Sequence, residues 1–156
     1  MLTQWARRNA GPPGSSIETV QPLGVHHVGL AVADLDEAVE SYTSLLGGVL
    51  EHRDVLPDQG VEAASIVFGS SRIELLAPTG DDTPVGRFLA KRGPGMHHVA
   101  YEVEDVAAAL ADLAAAGTEL IDTVPRRGLF GLQVAFIHPD AVHGVLTEVV
   151  AVARLT

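Results

Sequence analysis

Two pairs of adjacent histidines occupy equivalent places in a sequence that repeats itself. The first pair begins the phrase HHVGLAV at residues 26–32, and the second begins HHVAYEV at residues 97–103, 71 residues later. Each half of the sequence also ends in an apolar stretch with a single glutamate, IELLA around Glu74 and TEVVA around Glu148. Each half therefore supplies one histidine pair and one glutamate.

A set of two imidazoles and two carboxylates is suited to a divalent first-row metal. The carboxylates balance the charge of the cation, and four protein ligands leave two positions of an octahedron for a substrate that binds through two oxygens. Any one of these residues alone is better explained as a hydrogen-bonded core histidine or a glutamate at a strand edge. The repeat favours the metal, because two unpaired carboxylates on buried strands are costly without a cation.

The alternation of side chains along a strand separates the two histidines of each pair. In the first strand His27 shares its face with Gly29 and other small residues, which leave room for a ligand, and His98 has the same setting in the second strand. The preceding residues, His26 and His97, fall on the bulkier face, which should pack on the following helix. We therefore predict that His27 and His98 belong to the site and that His26 and His97 are structural.

The composition is typical of one compact globular domain. Of the 156 residues, 47% are hydrophobic and 19% are charged, which excludes a disordered chain. The formal net charge of −10 argues against a nucleic-acid partner, which needs a basic surface. We find no apolar run long enough to span a bilayer and no secretory signal pattern, so we expect no membrane association. The absence of cysteine excludes disulfides and thiolate metal sites, and we expect a cytoplasmic location.

The first half of the repeat predicts the order β-α-β-β-β. Its helix begins after Asp34, with Glu37 in the spacing of a capping box, and ends at Gly47. The predicted strands span residues 25–32, 49–54, 62–68 and 72–77.

The second half predicts the same order. A short helix from Pro84 lies in the connection between the halves, and a second long helix runs from Asp105 to Gly117. The predicted strands span residues 96–103, 119–122, 133–137 and 145–150. The intervening loop 123–132 is long enough to expect a functional role.

We predict a flexible N-terminal tail at residues 1–23, because this segment lacks periodicity and contains the stretch GPPGSS. The domain is predicted to occupy residues 24–156, with its two modules at about residues 25–78 and 96–152.

Several phrases between about residue 25 and residue 152 resemble the methylmalonyl-CoA epimerases of the vicinal oxygen chelate superfamily, which includes glyoxalases, bleomycin resistance proteins and dioxygenases. The phrases are HHVGLAV at 26–32, RIELL at 72–76, TPVGRFLAKRG at 83–93, GMHH at 95–98, FIHP at 136–139 and GVLTE at 144–148. The resemblance implies an α+β fold in which two βαβββ modules form one curved sheet around a metal site. The implied metal ligands are His27, Glu74, His98 and Glu148.

The resemblance also implies a mechanism. A divalent metal, with Co²⁺ favoured and Ni²⁺, Mn²⁺, Zn²⁺ or Fe²⁺ as alternatives, would hold a malonyl-type acyl-CoA and stabilise the enolate formed when a proton is removed. Inversion needs a base on one face of the substrate and an acid on the other. Glu148 matches a family glutamate with such a role. A second family glutamate aligns with Ala63, so Glu62 is the remaining candidate, although a shift of one residue sends it to the other face of its strand.

Substrate recognition is less well defined by the sequence. Candidates for contact with the phosphates of CoA are Lys91, Arg92, Arg126 and Arg127, and a plain solvated surface explains them equally well. Phe130 is a candidate to line the substrate pocket. Its loop is bulkier than the glycine-rich loop of the family, and Asp140 stands where the family usually has lysine, which favours a different or smaller acyl carrier.

We therefore predict an isomerase that epimerises methylmalonyl-CoA or a related 2-substituted malonyl thioester, and by analogy a homodimer. The rival predictions are a glyoxalase-like lyase or isomerase on a non-CoA substrate, and a metal-free small-molecule binding or resistance protein. A ring-cleaving dioxygenase is disfavoured, because such sites use two histidines and one carboxylate, and Glu74 would be surplus.

Overall fold

The computed structural model describes residues 20–152, which form eight strands and three α-helices. The predicted tail lies outside the described residues up to residue 19. Where the description begins, Val20 packs against the core and the backbone N–H of Leu23 donates to the carbonyl of Glu102 at 2.8 Å. No helix of this part is long and apolar enough to cross a membrane.

The first module follows the predicted order. Its elements are β1 (Gly24–Ala31), α1 (Leu35–Ser44), β2 (Val49–Leu56), β3 (Val61–Phe68) and β4 (Ser71–Pro78). The carboxylate of Asp34 accepts the backbone N–H of Glu37 at 2.9 Å, which satisfies one of the free donors at the start of α1.

The second module repeats this plan after a connecting helix. That helix, α2 (Pro84–Arg92), is capped by the hydroxyl of Thr83. The elements that follow are β5 (Gly95–Glu102), α3 (Val106–Ala115), β6 (Arg126–Arg127), β7 (Gln133–Ile137) and β8 (Thr147–Ala151). Asp105 caps α3 through the N–H of Ala108 at 2.9 Å, as Asp34 caps α1.

The strand predicted at residues 119–122 is wrong, because only Leu120 forms an isolated bridge there, with Ile137. The N–H groups of Ile121 and Asp122 both donate to the carbonyl of Phe136, and the side chain of Asp122 accepts the N–H of Phe136 at 2.9 Å. The carboxylate of Asp122 thus accepts a hydrogen bond that a backbone carbonyl would accept in a regular β-ladder, and this segment does not pair further with β7. The first outer strand of this module is the short β6, farther along the chain.

The eight strands form one mixed sheet in the order β2-β3-β4-β1-β5-β8-β7-β6. The strands β1 and β5 pair antiparallel at its centre, and each is flanked by the last strand of its own module in parallel. The predicted α+β fold of two βαβββ modules in one sheet is confirmed. Each module places its histidine strand next to its glutamate strand.

The core lies on both faces of this sheet. On the helix face, α1 covers a cluster around Ile66 and Leu75, and α3 covers a cluster around Val106 and Val149. The opposite face, called the inner face here, carries a third cluster formed by Ala31, Leu56, Val61, Ala63, Leu76, Val85 and Leu129. Leu129 belongs to the second module, so this cluster joins the two modules across the inner face.

Two β-bulges interrupt the central pair of strands. Val25 pairs with Tyr101 and His27 pairs with Ala100, so that His26 is left without a partner in β5. Gly29 pairs with His98 and Leu30 pairs with Met96, so that His97 is left without a partner in β1. A bulged residue is unpaired and breaks the alternation of faces. The prediction that His26 and His97 face the helices is therefore wrong: both border the cavities that His27 and His98 line.

Candidate metal centre

The four central strands bring the predicted ligands together on the inner face. His27 comes from β1, Glu74 from β4, His98 from β5 and Glu148 from β8. The register explains the convergence, because Gly29 of β1 is paired with both Glu74 and His98, and Ala100 of β5 is paired with both His27 and Glu148. These backbone positions hold the four side chains around one point.

The donor atoms of these residues are close enough to share one cation. The Nε2 atoms of His27 and His98 are 3.0 Å apart, and His98 Nε2 is 3.5 Å from a carboxylate oxygen of Glu148. His27 Nε2 is 3.9 Å from the other oxygen of Glu148 and 3.6 Å from Glu74. The donor atoms of His27, His98 and Glu148 all lie within 4.8 Å of one another, and Glu74 joins this group through His27.

Burial shifts the pKa values of all four groups toward their uncharged forms. Desolvation, with the neighbouring imidazole of His26 as a further cause, lowers the pKa of His27 to about 3, and it lowers the pKa of His98 well below its usual range. Desolvation also raises the pKa of Glu74 to about 7 and that of Glu148 well above its usual range. Neutral imidazoles are the form that binds a metal, while both carboxyl groups must lose their protons to do so.

The donor set fits a divalent first-row metal. Among the described residues, Glu148 Oε1 is buried and has no hydrogen-bond partner, which is an unfavourable state for a carboxyl oxygen. A cation at the point where the four side chains meet would satisfy this oxygen, and the two carboxylates would balance its charge. The cluster is therefore a candidate metal site with nitrogen and oxygen ligands.

The small residue Gly29 makes room for a ligand side chain. A Cβ atom at this position would lie 2.2 Å from Cε1 of His98 and 2.4 Å from its Nδ1. The space that the sequence assigned to a bound ligand is therefore filled by the imidazole of His98.

The structure does not bring Glu62 to this cluster. Its carboxylate binds the guanidinium of Arg53 at 2.7 Å, and Arg53 also binds Asp36 of α1 at 2.6 Å, so Glu62 lies on the helix face. On the inner face of β3 the corresponding residue is Ala63, which is fully buried. The period of two along a strand decides this, since neighbouring residues point to opposite faces.

Two of the four predicted basic residues border a groove next to the cluster. Lys91 and Arg92 lie at the end of α2, and with Arg87 they border a groove of about 460 Å³ that reaches His97 and His98.

The other two basic residues are engaged in ion pairs. Arg126 pairs with Asp122 at 2.5 Å, and it also lines a mainly apolar cavity of about 140 Å³ next to His98. Arg127 is largely exposed and lies 3.9 Å from Asp54.

The loop that carries Phe130 crosses from the second module to the first. The backbone of Phe130 is left-handed (φ 60°), and its ring stacks on His52 with 4.4 Å between the ring centroids. Gln59 donates to the carbonyl of Arg127 at 2.9 Å. A non-glycine residue in this conformation stores strain, which is common near functional sites. The loop covers the cleft that His27, Glu74 and Glu148 line.

Sequence reasoning missed Arg72 and the residues bound to it. Arg72 lines the same cleft, holds both oxygens of Glu51 at 2.9 Å and lies 3.3 Å from His26 Nε2. A signal was present, because Arg72 stands two residues before Glu74 in one strand and therefore shares its face.

The sequence from residue 26 to residue 136 matches the family model of the Glyoxalase/Bleomycin resistance protein/Dioxygenase superfamily. The chain belongs to this superfamily. The predicted family and fold are confirmed.

Its relatives include enzymes named as epimerases. The ethylmalonyl-CoA/methylmalonyl-CoA epimerase of Cereibacter sphaeroides is 38% identical over 126 residues, which cover 80% of this chain and 94% of that protein. The mitochondrial methylmalonyl-CoA epimerase of Mus musculus is 36% identical over 146 residues, covering 90% and 82%. A structure of a Streptomyces coelicolor methylmalonyl-CoA epimerase variant with 2-nitronate-propionyl-CoA superposes with a TM-score of 0.82 at 39% identity, covering 86% of this chain and 100% of that one. Epimerases are isomerases, the class predicted from the sequence.

The substitution Gly29→Ala tests whether the close approach of His98 shapes the site. The added methyl group would collide with the imidazole, so we expect His98 to be displaced and the affinity for Zn²⁺ to fall by at least about tenfold. Competition with a chromogenic chelator measures this affinity. Gly80→Ala is the matched control, because a Cβ there meets no atom within 4 Å. Equal Zn²⁺ affinity of the Gly29→Ala and Gly80→Ala variants would contradict the assignment of His98, packed against Gly29, as a metal ligand.

The carboxyl group of Glu74 makes the stability of the metal-free protein depend on pH. Its pKa is about 7 in the folded state and about 4.5 when exposed. Between pH 4.5 and pH 7 the carboxyl group is therefore mostly ionised in the unfolded chain and mostly protonated in the folded protein. The free energy of unfolding therefore falls as the pH rises, by about 3 kcal/mol in all for this group. We expect Glu74→Gln to be more stable than the wild type at pH 8 and equally stable at pH 4.

Urea unfolding in the presence of a chelator measures this difference. Glu104→Gln is the control, because Glu104 is exposed. The prediction fails if wild type and Glu74→Gln lose stability equally between pH 4 and pH 8.

Proposed function

We propose that the protein binds one divalent metal through His27, Glu74, His98 and Glu148 and epimerises methylmalonyl-CoA or a related 2-substituted malonyl thioester. The observation that carries the proposal is the buried cluster itself, with its unsatisfied Glu148 oxygen, in a chain related to epimerases of this substrate class. When bound, the metal supplies positive charge and open positions for two substrate oxygens. Co²⁺ is the metal we favour.

Glu148 is the residue we assign to proton transfer on one face of the substrate. Its carboxyl group is buried, and desolvation together with the charges of Glu74 and Asp122 raises its pKa. The positive charge of a bound metal would lower this pKa again, so that the group could take a proton from the substrate as a carboxylate and return it as an acid.

Glu74 is the residue we assign to the opposite face. Glu62 points away from the site, and Ala63 has no group that transfers protons. Glu74 is the remaining carboxyl group of the cluster, and it approaches from the other module, across the two histidines from Glu148. The duplicated fold thus supplies two carboxyl groups, from β4 and β8 on either side of the two histidine strands, and inversion at one carbon needs two groups that transfer protons.

The groove beside α2 supports a CoA thioester as substrate. The basic residues Arg87, Lys91 and Arg92 that line it suit phosphates, and its apolar lining residues, among them Phe88 and Met96, suit an uncharged arm. The groove reaches His97 and His98, which also line the cavity of about 140 Å³. The geometry supports entry of the acyl group through this cavity. The cytoplasmic location and the homodimer stay predictions.

Deuterium uptake tests the reaction. In deuterated water the metal-loaded protein should exchange the central hydrogen of methylmalonyl-CoA or ethylmalonyl-CoA without changing the carbon skeleton. We expect Glu148→Gln to slow the exchange by about 10²–10⁴-fold, the usual contribution of a positioned acid or base. Mass spectrometry of the recovered thioester measures the exchange.

Glu62→Gln is the matched control, because Glu62 lies on the helix face, and it should exchange at the wild-type rate. The proposal fails if both thioesters stay unexchanged while the protein converts a hemithioacetal, which would indicate a glyoxalase-like enzyme. Small-molecule binding by a protein that takes up no metal would instead indicate the binding or resistance class.

Charge reversal in the groove tests the acyl carrier. We expect the double variant Lys91→Glu, Arg92→Glu to raise the KM for the CoA thioester by about tenfold, because the phosphates lose their electrostatic attraction. The KM for a truncated thioester of N-acetylcysteamine, which has no phosphate, should not change. Equal effects on both thioesters would contradict phosphate recognition by this groove.

A further inference from the structure

Four imidazoles form a continuous chain of contacts across the site. The Nδ1 atoms of His26 and His27 are 2.8 Å apart, the Nε2 atoms of His27 and His98 are 3.0 Å apart, and the Nδ1 atoms of His98 and His97 are 3.0 Å apart. The two bulges create this chain, because they bring His26 and His97 beside the histidines that follow them.

Arg72 lies at one end of the chain. Its guanidinium is 3.3 Å from His26 Nε2 and holds Glu51 with its other nitrogens at 2.9 Å. At the opposite end, His97 lies against the ring of Phe88, with 5.0 Å between the ring centroids. The two ends therefore differ chemically, although the modules repeat.

The protonation of the four rings limits the direction of these bonds. Each contact of 2.8 to 3.0 Å between two ring nitrogens holds one proton, so one nitrogen donates and the other accepts, and a ring that accepts at one nitrogen carries its proton on the other. A guanidinium only donates. If Arg72 donates to His26 Nε2, the proton of His26 is on Nδ1, and it is donated to His27 Nδ1.

The direction of the remaining two hydrogen bonds is then determined. His27 carries its proton on Nε2 and donates it to His98 Nε2. His98 in turn carries its proton on Nδ1 and donates it to His97 Nδ1. The carboxyl oxygens of Glu74 and Glu148 are farther from these Nε2 atoms, at 3.5 Å or more, than the two Nε2 atoms are from each other.

We propose that Arg72 sets the direction of this four-imidazole chain, so that the metal-free protein holds His98 in the metal-binding tautomer and His27 in the opposite one. A metal at the cluster needs the lone pair of Nε2 on both rings. His98 already presents that lone pair. His27 must move its proton to Nδ1, and His26 must then accept it.

This change of tautomer removes the longest contact of the series, the one between Arg72 and His26. When His27 donates to His26, the proton of His26 moves to Nε2 and faces Arg72, so the 3.3 Å contact is lost while the two bonds from Arg72 to Glu51 remain. His26 and His97 are thus positioning residues, each holding the Nδ1 of a ligand ring. His98 would bind a metal without any change of tautomer. The binding steps rest on the proposed metal site, whereas the tautomers concern the metal-free protein.

Nitrogen-15 NMR of the histidine side chains tests the direction of the chain. In the chelator-treated protein we expect the proton on Nε2 of His27 and on Nδ1 of His98. One equivalent of Zn²⁺ should move the His27 proton to Nδ1 and leave His98 unchanged. Finding His27 protonated at Nδ1 before Zn²⁺ is added would overturn the proposal.

The substitution Arg72→Leu tests the role of the guanidinium. Without its donor, His27 should populate both tautomers in the metal-free protein, and the affinity for Zn²⁺ should rise several-fold. Arg53→Leu is the matched control, because Arg53 also pairs with carboxylates of the first module but lies on the helix face. A single, unchanged His27 tautomer in Arg72→Leu would overturn the proposal.

Two substitutions of His97 test its positioning role. His97→Asn keeps an oxygen close to the place of Nδ1, whereas His97→Leu removes the acceptor. We expect the Leu variant to lose about 10–100-fold in Zn²⁺ affinity and the Asn variant to keep most of it. Equal affinity in the Leu variant and the wild type would overturn this role.

A wild-type protein that binds no Zn²⁺ would overturn the proposed function, while the tautomers of the metal-free protein would still test the chain.

Discussion

The structure depends on four polar groups that are buried on the inner face of the sheet without a fixed counter-charge. Two carboxyl groups and two imidazoles meet there, and burial drives all four toward their neutral forms. The nearby cation, Arg72, is already bound to Glu51. Such a cluster is tolerated in a folded protein when its groups can hydrogen-bond or bind a metal. The imidazole chain meets the first condition for the two histidines, whereas the buried Oε1 of Glu148 has no hydrogen-bond partner and would be satisfied by a divalent cation.

The backbone of the central strands is adapted to this cluster. A bulge at each histidine pair brings a second imidazole to the Nδ1 of the first, and Gly29 leaves the space that the ring of His98 fills. Both adaptations lie in β1 and β5, the strands that join the modules. The interface between the two halves of the fold is therefore also the floor of the site.

The two ends of the site have different surroundings. On one side the loop with Leu129 and Phe130 covers the cleft beside Arg72 and holds the modules together. On the other side the cavity beside Phe136 and the groove along α2 open to solvent and carry basic residues. The basic groove therefore reaches the histidines from this second side.

The sequence by itself determined the repeated βαβββ order, the helix caps at Asp34 and Asp105, and the set of one histidine and one glutamate per module. These features are local or repeated, so that periodicity and spacing are sufficient to find them. Tertiary structure decided what depends on register: the loss of the strand at residues 119–122, the placement of Glu62 on the helix face, and the turn of His26 and His97 toward the site. A bulge adds one residue to one strand of a pair, and whether a strand contains one is decided by its partner strand, which local sequence does not specify.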